Sequence, residues 1–176
     1  MTAFADPAFA ELVAATNFSF LDGASDAGTM VGRAVELGLG GIGIADRNTV
    51  AGVVRAHQAL KKAKDGLLGM MLPPIDFRLI VGARLVFEDG TPDIVAYPST
   101  RRGWGRLTRL LTVGNRRAEK GGCILGLGDL IAHHADMMLV VMPESSSRGA
   151  TAVSPLPDGD TLPDAATATC RASSTR

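Results

Sequence analysis

A chain of 176 residues, 46% hydrophobic and 5% aromatic, is long enough for one domain with a buried core and short for two. Eighteen basic residues offset eighteen acidic ones, so no global field directs the protein to nucleic acid or a membrane, and such a partner must be met by a local patch. Cys123 and Cys170 lie far apart without a C-x-x-C pattern, which argues against a zinc ribbon or a disulfide scaffold. With no signal-peptide pattern at the start and no apolar run long enough to span a bilayer, a cytoplasmic protein is expected.

Strand-like and helix-like patterns alternate up to residue 143. "AELVA" (10–14) reads as a short strand, and 26–38 as a helix with Met30, Val31, Ala34 and Leu37 at helical spacing. Gly38 and Gly40 end that helix, and "GIGIA" (41–45) follows as a buried strand. Residues 49–64 form an amphipathic helix capped by Asn48 or Thr49 and closed by a lysine-rich turn. After a turn-prone segment, 77–87 is strand-like, "EDGT" is a hairpin-type turn, and 93–98 is a further strand. A helix over 104–113, a strand-like "CILG", a short helix "LGDLIAHH" and a strand over 137–143 complete the series. Such alternation predicts an α/β domain with largely parallel strands.

After Pro143 the apolar periodicity stops. Residues 145–176 are rich in Ser, Thr, Ala, Pro, Gly and Asp and are expected to form a disordered tail, of a composition that also suits a chain that has left its reading frame.

Gly38-x-Gly40-x-x-Gly43 matches the dinucleotide-binding pattern letter for letter. That pattern serves a phosphate only where it follows a strand and opens a helix. Here it follows a helix and leads into a strand, so it reads as a helix stop and a tight turn.

Three segments, "ELVAATNFSFLDGAS", "IGIADRNTVAGVVRAH" and "FRLIVGARLVF", stand in this order, followed by "GWGRLTRLLTVGNRRAEKG" and "LGDLIAHHADMMLVVMPE". Together they resemble the N-terminal PHP (polymerase and histidinol phosphatase) domain of the bacterial error-prone DNA polymerases, C-family enzymes related to the DNA polymerase III alpha subunit. The resemblance covers residues 8–144, the expected domain. It implies a distorted parallel β/α barrel, of which this chain supplies about five or six strands and which therefore stays unclosed. It also implies a full-length relative that performs Mg²⁺-dependent, DNA-directed DNA synthesis in damage tolerance and repair through a palm domain. No palm segment is present in the sequence, so this chain by itself, read as a truncated piece, is not expected to polymerise DNA.

Metal-binding PHP members carry H-x-H on the first strand, an Asp-His pair on the second and G-x-E on the third. The matching positions here are Val13-Ala14-Ala15, Asp46-Arg47 and Gly82-Ala83-Arg84. Val13 and Ala15 have no lone pair to donate, while Arg47 and Arg84 are cations that repel a divalent ion. No bound metal, no cofactor, no small-molecule substrate and no catalytic residue are therefore expected. Asp22 and Asp46 survive as acids. On a shared barrel rim, Arg47 or Arg84 is expected to occupy the vacated metal space and pair with one of them, the alternative being that both arginines face water.

The histidines carry no ligand pattern: His57 belongs to a helix surface, and the adjacent His133 and His134 diverge at a helix end. Residues 101–120 hold the one local charge excess, in which Arg102, Arg106, Arg109, Arg116 and Arg117 are candidates for a track on a DNA backbone, against the bland reading of a solvated helix face. Three functions follow: a structural PHP platform of an error-prone polymerase; a free-standing scaffold that binds DNA or other translesion-polymerase components; or a metal-dependent phosphoesterase, which only stoichiometric metal and phosphate-ester hydrolysis would revive.

Overall fold

The computed structural model describes residues 9–69 and 76–143. The expected tail over 145–176 and Cys170 lie outside the described residues. In chain order the elements are β1 (Ala10–Ala14), α1 (Ala27–Glu36), β2 (Gly41–Arg47), α2 (Ala51–Gly69), β3 (Arg78–Leu85), β4 (Ile94–Pro98), α3 (Arg101–Arg117), α4 (Leu127–His133) and β5 (Met137–Val141).

The five strands form one sheet in sequence order. β1–β2 and β2–β3 are parallel, joined by the crossover helices α1 and α2, whereas β3–β4 and β4–β5 are antiparallel. The α/β class holds, and the sheet is mixed rather than largely parallel. The reason lies in the connections: "EDGT" leaves too little chain for a crossover and folds β4 straight back on β3.

Two clusters fill the helix side of the sheet. Val31 and Ala34 of α1 and Val53, Ala56 and Leu60 of α2 pack on Ala14, Ile42 and Ile44. Leu107, Leu110 and Leu111 of α3 and Leu130 of α4 pack on Ala83, Leu85, Ile94 and Ala96. In α1, α2 and α3 these residues recur at the spacings of one helix face, and they are set against alternate residues of each strand.

Boundaries follow the local chemistry. The Asp26 side chain accepts from the N–H of Gly28 and starts α1, which stops at Gly38, a residue with φ of +69°. The glycine-rich pattern is thus a helix stop running into β2. Leu37, counted among the apolar positions of α1, is 58% exposed because it is already the C-cap. α3 runs longer than its leucine pattern at both ends: Thr100 caps it through the N–H of Gly103, and its last turn carries Arg116 and Arg117, which suit a helix C-terminus. The segment "CILG" is not a strand. Its N–H at Ile124 donates to the Gly114 carbonyl and its Leu125 carbonyl accepts from the N–H of Glu88, so its backbone is satisfied by α3 and a loop instead of a sheet edge.

Candidate functional site

The C-terminal ends of β1, β2 and β3 bring together the segments on which the PHP resemblance rests. Asp46, next to last in β2, is fully buried. Its Oδ1 accepts from the Thr16 backbone N–H at 2.7 Å and from Ser19 Oγ at 2.7 Å, and its Oδ2 accepts from Thr16 Oγ1 at 2.9 Å. Ser19 Oγ in turn accepts from the backbone N–H of Arg47 at 3.0 Å. The first turn of α2 presses on the same carboxylate: a Cβ on Gly52 would stand 2.5 Å from Asp46 Oδ2. Only glycine lets the helix start so close, and the positive end of α2 faces the charge it covers. Asp46 therefore faces the helix side of the sheet, along with Ile42 and Ile44, while Arg47 follows Ala45 to the opposite face.

Arg84 lies on that opposite face with Ile80 and Gly82. Its Nε and Nη2 both reach Asp93 Oδ2 at 2.7 Å, and the Asp93 carboxylate is buried. The expected pairing of Arg47 or Arg84 with Asp22 or Asp46 is overturned. Arg84 takes a carboxylate that the β3–β4 hairpin brings back to it, Asp46 is engaged by the Thr16 and Ser19 hydroxyls and the Thr16 amide, and Arg47 is exposed and forms no ion pair among the described residues. Asp22 and Arg47 do share the wall of a cleft of about 790 Å³, with Asn48, Glu88, Lys120 and Cys123. Burial pushes the Cys123 thiol up, away from the reactive thiolate.

Val13 packs against Ala45, Val95 and Tyr97, and Ala15 is half-buried. Where imidazoles would project there is an apolar floor. Tyr97 of β4 lies across β3 against Gly82 and donates its hydroxyl proton to the Leu12 carbonyl of β1, so the sheet is curled enough for its fourth strand to reach its first. Phe20 and Leu21, whose positions after β1 suggest apolar anchors for the turn, are 82% and 90% exposed. The turn is held instead by Thr16 and Ser19 on Asp46, and the Phe18 ring lies 5.4 Å under the Arg55 guanidinium. Thr16, Ser19 and Asp93 were not singled out from sequence. The T-x-x-S spacing after a strand was a legible signal for capturing a carboxylate; Asp93 became meaningful only once the hairpin closed.

Desolvation, then the charge of Glu11, pushes the Tyr97 phenol up to about 12. The neutral phenol is the form the fold favours, so its contribution is intact below pH 10, the ordinary value, and is lost as pH rises towards about 12. A stability loss of about 2 kcal/mol over that window is expected for the wild type. Chemical denaturation of Tyr97→Phe at the same pH values should lack that part of the alkaline slope; an identical slope in both proteins would refute it.

The arginine run divides. Arg106 pairs with Asp136, and Arg117 makes a bidentate pair with Asp129, whose carboxyl the guanidinium holds below its ordinary value. Arg102, Arg109 and Arg116 remain exposed at seven-residue intervals on α3, about 10 Å apart along the axis. The histidines stay clear of the cleft lining: His57 is exposed on α2, while His133 and His134 turn their Nδ1 atoms to the carbonyls of Asp129 and Ile131. Among the described residues no three His, Cys, Asp or Glu side chains gather as a metal site, and no helix is long and apolar enough to cross a membrane.

A model of the PHP domain matches residues 11–161 of this sequence. The chain belongs to the PHP domain family. Its relatives include Error-prone DNA polymerase 1 of Rhizobium meliloti (strain 1021), 55% identical over 138 residues, which are 78% of this chain and 11% of that protein. The error-prone DNA polymerase of Sinorhizobium medicae (strain WSM419) is 52% identical over 139 residues, 79% of this chain and 11% of the relative. This PHP chain thus spans about a tenth of the length of these relatives. Among solved structures, a metal-dependent phosphoesterase from Bifidobacterium adolescentis, so described, aligns with a TM-score of 0.41 and 26% identity, over 62% of this chain and 34% of that one.

At Val13, Ala15, Arg47 and Arg84 this PHP domain carries neither an imidazole nor a carboxylate. Val13 and Ala15 offer hydrocarbon, Arg47 and Arg84 offer cations, and the buried carboxylate of Asp46 already accepts from Thr16 and Ser19.

Proposed function

We propose that this chain is a PHP domain without hydrolytic chemistry, serving as a structural platform of the kind found at the start of error-prone DNA polymerases. The observation that carries the reading is the anchoring of Asp46: its buried carboxylate accepts from Thr16 and Ser19 and ties β2 to the turn after β1, under the first turn of α2. Arg84 does the same for the β3–β4 hairpin through Asp93. In this reading the chain alone carries out no nucleotidyl transfer, and participation in damage tolerance or repair belongs to a larger polymerase assembly.

The test is to incubate purified chain with Mn²⁺ or Zn²⁺, desalt it, and count metal by elemental analysis beside assays on p-nitrophenyl phosphate and DNA 3′ ends. Substoichiometric metal and hydrolysis no faster than the blank are expected. One ion per chain together with hydrolysis would restore the phosphoesterase reading.

A second reading, a DNA-binding module, is favoured by the stripe of Arg102, Arg109 and Arg116, which no ion pair among the described residues consumes. Three phosphate contacts on duplex DNA give a slope of log K against log salt of about −3. Fluorescence anisotropy should show that slope and its loss when the three are changed to glutamine. A wild-type chain that leaves anisotropy unmoved at low salt would retire this reading.

A further inference from the structure

We draw no further inference here: the strongest candidate, the cleft of about 790 Å³ between the turn after β1, the start of α2 and the end of α3, belongs to the site already described, and its mixed lining of Asp22, Glu88 and Glu119 with Arg47 and Lys120 singles out no class of ligand.

Discussion

Replacing Asp46 with alanine should lower the free energy of unfolding by about 4 kcal/mol, because the Thr16 N–H, Thr16 Oγ1 and Ser19 Oγ are left as buried donors with nothing to accept them. Each orphaned group costs about 1–3 kcal/mol, and the turn after β1 is free to relax and recover part of the sum. Asp46→Asn keeps one acceptor but turns an amide N–H₂ towards the hydroxyls, so it should fall between alanine and wild type. Urea denaturation monitored by circular dichroism decides the matter. A loss under about 1 kcal/mol for the alanine variant would mean that the carboxylate is not a structural tie, and the platform reading would lose its main support.

The second large effect is expected at Gly82. A Cβ there would stand 2.5 Å from the Tyr97 ring and 2.6 Å from the Ala96 carbonyl oxygen of the neighbouring strand. The ring can tilt, but the carbonyl belongs to the β3–β4 ladder and cannot move without breaking register. Gly82→Ala should therefore destabilise the domain by about 3 kcal/mol, the upper range for overpacking. The same denaturation experiment reads it, and near-wild-type stability would show that Tyr97 does not lie against β3. In this chain Gly82 is required by close packing, whatever stands at position 84.

Much of the frame was legible in residue order. The apolar positions of 49–64 and 104–113 predicted α2 and α3 because a helix that packs on a sheet must repeat its apolar residues at the helical period. "AELVA" and "GIGIA" were readable as strands for the parallel reason. That Val13, Ala15, Arg47 and Arg84 bring no imidazole or carboxylate was also legible, since donor capacity is a property of the side chain and not of its surroundings. The partners of the surviving charges were not. Asp46 and Arg47 are neighbours in sequence but leave β2 on opposite faces, so one is buried under α2 and the other lines the cleft. Arg84 found Asp93 only because "EDGT" reverses the chain, and Arg106 and Arg117 found partners only because Asp136 and Asp129 came within reach.

Residue identity by itself thus determined the α/β pattern, the PHP kinship and the donor chemistry available at Val13, Ala15, Arg47 and Arg84, all of which depend on local period or on the chemistry of single side chains. Tertiary structure alone decided the mixed sheet, the burial of Asp46 under α2 and the pairing of Arg84 with Asp93. Those depend on which segments meet across space, and a hydrogen bond or an ion pair exists only once they have met.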